Sequence, residues 1–168
     1  VFFEDGMNKA LRRRVYVERE LRIALDSRQL WPAFQAKTDL HNGRLCGAEA
    51  LARWTHPELG LISPAEFIPI AEEAGLVREL GWLMLESCCE QIARWRAEHR
   101  SIVPVAVNVS MLQLTDSDFA KRVLDTLSRL GLPPSCLGIE VTESTLIQQI
   151  DVALPQLERL RTAGLEIS

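Results

Sequence analysis

Two patterns of apolar and polar positions divide the chain. From residue 103 onward, short runs with alternating apolar positions are each followed by a stretch with helical spacing. Val103 to Ser110 and Leu137 to Thr142 are predicted strands, and about Ser117 to Leu130 and about Ile147 to Ala163 are predicted helices. Gly131 with Pro133-Pro134 stops the first helix and Gly164 the second, while Pro155 predicts a kink or reset inside the second. Strands and helices alternating at roughly 30-residue intervals predict parallel βα units.

Before residue 103 the pattern is less regular. Leu11 to Leu25 is a predicted amphipathic helix with Leu11, Val15, Leu21, Ala24 and Leu25 on one side, read as a solvated linker. Leu30 to Gln35, the turn signal Asp39-Leu40-His41-Asn42-Gly43, and Arg44 to Trp54 predict a hairpin or a pair of strands. Ser63-Pro64-Ala65-Glu66 has the form of a capping box with Pro at the first helical position. Gly75 ends that short helix, and Leu80, Met84, Cys88, Ile92 and Trp95 mark the buried stripe of a longer one. His56-Pro57 reads as a turn-shaping pair. Leu165 to Ser168 reads as the opening of a further strand, so the expected fold is α/β, an incomplete barrel or an open sheet.

The alternation also sorts polar residues onto one face. In the strand at 103–110 the valines face covering helices, and Asn108 points the other way, near the carboxyl end. Glu140 is its equivalent one βα unit later. In "GAEALARW", residues 47–54, Glu49, Leu51 and Arg53 share a face and Ala48, Ala50 and Ala52 share the other. Three strands thus send a polar side chain toward one interior, at the rim where βα barrels build their sites. Two carboxylates and an amide oxygen form a hard-oxygen set suited to Mg²⁺ or Mn²⁺. The competing arrangement is a buried Glu49–Arg53 ion pair, with Asn108 and Glu140 bonded to backbone.

Composition narrows the class. With 168 residues, 47% of them hydrophobic, the chain is long enough for one globular domain with a real core. A net charge of -4 argues against binding polymeric nucleic acid, which needs a basic face, but permits a small anionic ligand. Cys46, Cys88, Cys89 and Cys136 show no zinc-ligand spacing and read as core thiols in a reducing cytoplasm. No apolar run predicts membrane contact by this segment, though a parent protein could carry an anchor elsewhere.

Taken together, Glu49-Ala50-Leu51 with Arg53-Trp54, "SPAEFIPIAEEAG" at 63–75, "VAVNVS" at 105–110 and "IEVTES" at 139–144 resemble the EAL domain, the bacterial cyclic-di-GMP phosphodiesterase family. The resemblance covers residues 18–168. Residues 1–8, "VFFEDGMN", resemble the end of a GGDEF (diguanylate cyclase) domain, so that residues 1–17 would be its tail and a linker helix. The resemblance implies a TIM-like (βα) barrel, of which this chain would hold the first half to two-thirds. It also implies hydrolysis of cyclic-di-GMP to linear pGpG by two Mg²⁺ or Mn²⁺ ions and an activated water. By motif position Glu49, Asn108 and Glu140 are implied metal ligands, and Gln35, Leu51 and Arg53 substrate contacts. Glu143 is the implied glutamate that steadies the loop after the next strand, and Glu49 and Glu143 are the implied catalytic pair.

Three departures stand out. Ala36-Lys37 follows Gln35 where the family usually begins with Pro, which would alter a pocket edge. Leu112 replaces a frequent arginine. The family's aspartate pair would begin about two residues past Ser168, so the segment alone is expected to be inactive. Two other readings compete with the phosphodiesterase: an EAL-type cyclic-di-GMP receptor without turnover, and a half-barrel that pairs with a second copy as a homodimer.

Overall fold

The computed structural model describes residues 2–141 and 150–168. A long helix α1 (Phe2–Asp26) leads into the antiparallel pair β1 (Leu30–Thr38) and β2 (Leu45–His56), followed by a short β3 (Gly60–Ile62). Helices α2 (Pro64–Glu73) and α3 (Val77–Ala97) precede β4 (Val105–Asn108), the one-turn α4 (Met111–Leu114) and α5 (Phe119–Arg129). The described chain then gives β5 (Leu137–Glu140), α6 (Ile150–Ala163) and β6 (Glu166–Ile167). The strands make one mixed sheet in the order β1-β2-β4-β5-β6, with β3 paired to β2. β1 and β3 run antiparallel to β2, while β4, β5 and β6 continue the sheet in parallel.

The hairpin register follows from its turn. The Asp39 carboxylate accepts from the His41 N–H at 2.8 Å and from the Asn42 side chain at 2.8 Å. Gly43 supplies the left-handed backbone, φ 67°, that brings the chain back into β2. Gln35 then faces Glu49 directly, and Ala33 faces Leu51.

Two cores hold the fold. Ala48, Ala50, Val105, Val107, Leu137 and Ile139 line the helix-covered face and pack against Leu85, Cys88 and Ile92 of α3, Val123 and Leu127 of α5, and Leu160 of α6. Each buried valine, leucine or isoleucine among them contributes about 1.5–3 kcal/mol. The second core gathers Val17, Leu21 and Ala24 of α1 around Trp54, Ile62, Phe67 and Leu80. The Trp54 and Phe67 rings meet edge to face at 5.8 Å.

This second core corrects the reading of α1 as a solvated linker. Its buried side is Val17, Leu21 and Ala24, whereas Leu11 and Val15 are exposed. The helix docks on α2 through Arg13, whose guanidinium donates to Glu66 at 2.7 Å, and through an Arg14–Glu73 ion pair. Glu66 is thereby drawn away from the cap. Ser63 Oγ accepts from the Ala65 N–H at 3.3 Å, so α2 has the predicted N-cap and Pro64 but not the reciprocal box. A reciprocal box forms instead at Ser110 and Gln113, opening α4.

His56 shapes the β2–β3 turn as predicted, and also ties it to α1. Its Nδ1 accepts from the Glu58 and Leu59 N–H groups at 3.1 Å, leaving Nε2 to donate to Glu20 at 3.2 Å. The thiols of Cys88, Cys89 and Cys136 are buried, but Cys46 is exposed, a correction to its reading as a core thiol. Burial pushes the Cys89 thiol up to about 12 and raises Cys88 and Cys136 as well, which leaves them protonated and inert. Pro155 does not split α6. Among the described residues no helix is long and apolar enough to cross a membrane.

Candidate active site

The face of the sheet opposite the main core carries the polar residues, and pairing aligns them across strands. Gln35, Glu49, Ala106, Gly138 and Glu166 form one transverse row of direct partners. Asn108 and Glu140 are partners in the next row toward the strands' carboxyl ends. The sequence dictates this directly: Val105 and Val107, Leu137 and Ile139 must face the helices, so Asn108 and Glu140 turn away from them.

Asn108 and Glu49 meet. The Asn108 amide donates from Nδ2 to Glu49 Oε1 at 2.8 Å. That bond leaves the Asn108 carbonyl oxygen and the second Glu49 oxygen outside it, and Glu140 on β5 is the direct strand partner of Asn108. Glu140 itself pairs with the ammonium of Lys37, which crosses from β1. The Lys37 bond to Glu140, with Glu49 and Glu166 nearby, holds its ammonium above the usual lysine range. The lysine therefore presents a cation throughout the neutral range.

The alternative Glu49–Arg53 pair is not formed. Arg53 donates from Nη1 to the Ala52 carbonyl at 2.9 Å. Four positions along a strand span about 13 Å, so two residues at that spacing share a face without touching. Arg53 and Leu51 instead line a cavity of about 400 Å³ together with Asn108, Ser110, Ile68 and Glu72. The cavity opens between the ends of β2 and β4 and the helices α2 and α3, and its walls are mostly apolar.

Gln35, Glu49, Leu51, Arg53, Asn108 and Glu140 thus all stand on or beside one end of the polar face. Glu143 lies outside the described residues. Leu112 is exposed, and Arg78 of α3 donates to its carbonyl at 3.0 Å, bringing a guanidinium to that edge from another element. Sequence reasoning missed Lys37 as a partner of the site, although its spacing from Gln35 in a strand placed both on one face. It also missed the α2 wall made by Ile68 and Glu72, which only the packing of α2 against the sheet reveals.

Chemically, Glu49, Glu140 and Asn108 offer hard oxygens that fit one divalent cation, and the ammonium on Glu140 shows that a cation is accommodated there. Among the described residues no three His, Cys, Asp or Glu side chains converge, so the Asn108 amide is needed to complete the set.

MucR of Pseudomonas aeruginosa, a bifunctional diguanylate cyclase/cyclic di-GMP phosphodiesterase, is 40% identical over 167 residues, covering 99% of this chain and 24% of MucR. The oxygen sensor protein DosP of Escherichia coli is 31% identical over 167 residues, covering 99% of this chain and 21% of DosP. The solved structure of the PaMucR phosphodiesterase in its c-di-GMP complex matches with a TM-score of 0.83 at 39% identity, covering 90% of this chain and 62% of that one. The FimX EAL domain of Xanthomonas citri, in complex with c-diGMP, shares the fold at a TM-score of 0.81 and 20% identity, with 97% of this chain and 62% of that one covered. The chain spans about a fifth to a quarter of the length of the curated relatives it matches. A family model described as "EAL domain" matches residues 18–168, and the chain belongs to that family.

Proposed function

We propose that this EAL domain serves the metal-dependent hydrolysis of cyclic-di-GMP to linear pGpG in bacterial second-messenger signalling. The observation that carries the reading is the meeting of Asn108 with Glu49 beside Glu140, three hard-oxygen groups delivered by three adjacent strands. The likeness to MucR supports the substrate, since that relative is a cyclic di-GMP phosphodiesterase whose structure holds c-di-GMP. The sheet is read as part of a TIM-like barrel, whose sites lie at the carboxyl ends of the strands.

Glu49, Asn108 and Glu140 would hold Mg²⁺ or Mn²⁺. When bound, such an ion supplies an acidified water and neutralises charge on the phosphodiester. The chain's own residues do the positioning. Arg53 spends one of its five donors on Ala52, and the rest of its guanidinium is available to phosphate oxygens. Leu51 and Ile68 offer the apolar wall on which a flat base can rest, and Gln35 stands beside Glu49 to hold the ligand's polar edge. The Asn108–Glu49 bond fixes both side chains before a ligand arrives, which lowers the ordering that catalysis would otherwise require.

Residues 1–17 are read as the tail of an upstream diguanylate cyclase domain and the helix that leaves it. Among the described residues, Glu49, Asn108 and Glu140 make a set for one ion, and the segment alone is read as inactive.

Incubating the full-length protein with cyclic-di-GMP and Mn²⁺, and separating the products by chromatography, tests the assignment. Linear pGpG that disappears on chelation supports it. Tight binding with intact nucleotide would establish the receptor reading instead.

A further inference from the structure

We propose that Lys37 is a resident counter-cation of the carboxylate site, occupying Glu140 until a divalent metal displaces it and so setting the metal concentration at which the site fills. The inference rests on reading Glu49, Asn108 and Glu140 as metal ligands, and adds to it a competitor from the chain itself.

The geometry is specific. Lys37 stands opposite Gly47 at the edge of the polar face, and its ammonium reaches past β2 and β4 to Glu140 on β5. It can do so because the floor between them is small. Gly47, Ala106 and Gly138 line the hollow that the lysine stem crosses, and a Cβ on Gly47 would sit 3.8 Å from Lys37 Cβ and Cδ. Larger side chains at Ala106 or Gly138 would obstruct that path.

The ammonium also lies within the field of Glu49 and Glu166, so it partly neutralises the carboxylates that would otherwise repel one another. A divalent ion and the ammonium cannot share Glu140 comfortably, because like charges at that separation repel. The Lys37 side chain is 42% exposed and Glu140 21%, so the lysine has an open path into water when it yields. Lysine suits this role: a single flexible ammonium releases a carboxylate more readily than a forked guanidinium.

A state with the pair closed is not competent for metal. If the pair is closed in about nine molecules of ten, apparent metal affinity falls about tenfold. Removing the ammonium should recover that factor.

The test is Mn²⁺ titration of the full chain at neutral pH, followed by loss of the free Mn²⁺ paramagnetic resonance signal, with thermal midpoints measured alongside. Lys37→Met is expected to tighten Mn²⁺ binding about tenfold, and Lys37→Arg to stay within about threefold of the parent protein. The gain should vanish when Glu140→Gln is added to Lys37→Met. If Glu140→Gln abolishes Mn²⁺ binding but Lys37→Met leaves it unchanged or weaker, the metal site stands and the competitor is refuted. If Mn²⁺ binds no variant, or binds Glu140→Gln as well as the parent, the ligand assignment fails and the competitor with it.

Discussion

The two faces of the sheet are built from the same strands and share almost nothing else. Along β4, Val105 and Val107 are at most 1% exposed and packed under helices, while Asn108 stands in the open. Along β5, Ile139 is fully buried and Glu140, the next residue, holds an ion pair. One position in sequence thus separates a side chain that folds the protein from one that can do chemistry. The difference teaches that period-two alternation, and not local composition, assigns the roles: "GAEALARW" looks like a core segment with misplaced charges only when read without it.

The sharpest way to break that contrast is to put a charge on the wrong face. Val107→Asp would bury an unpaired carboxylate and is expected to cost more than about 4 kcal/mol, leaving little soluble folded protein by circular dichroism. Ile139→Ala removes only volume and should cost about 2–5 kcal/mol in denaturant unfolding. The neighbouring Asn108→Ala, by contrast, should unfold within about 1 kcal/mol of the parent, since it gives up one exposed hydrogen bond. Comparable losses for all three would show that the polar face is structural.

A weaker effect is expected where α1 meets the second core. The Glu20 carboxylate is held below the usual range by its bonds to Arg19 and then to His56. A depressed carboxylate stabilises the fold above its unfolded pKa, and that contribution is lost as pH falls through the folded value. Thermal midpoints should therefore drop in acid, and Glu20→Gln should flatten that portion of the curve. An unchanged acid limb would remove Glu20 from the account. Smallest of all, Arg13→Ala breaks a largely exposed pair with Glu66 and should shift stability by about 0.5 kcal/mol or less, and less again at high salt.

How much was legible in the sequence follows the same division. The strand faces, the hairpin at Gly43 and the start of α2 at Ser63-Pro64 were legible because each depends on a few neighbouring residues. The buried side of α1 was not. Leu11 and Val15 fit the helical stripe as well as Val17 does, and only docking onto Trp54 and Phe67 decides between them. The three-residue β3 and one-turn α4 are too short to display a period. Of the site, Glu49, Arg53, Asn108 and Glu140 could be placed on one face by alternation, but contacts between strands could not. Sequence alone left the Glu49–Arg53 pair open, and strand spacing closes it. The partners that did form, Asn108 with Glu49 and Lys37 with Glu140, join residues 59 and 103 positions apart. Such contacts depend on the order of strands in the sheet.

The proposed function requires that one face of this sheet folds the protein while the other carries the reaction. It is tested most directly by measuring cyclic-di-GMP turnover and thermal midpoint side by side for Glu49→Gln in the full-length protein. Turnover is expected to fall on the order of 100-fold or more, with the midpoint moving by less than about 3 °C. Turnover that is unchanged, or that falls only in step with the unfolded fraction, would contradict it.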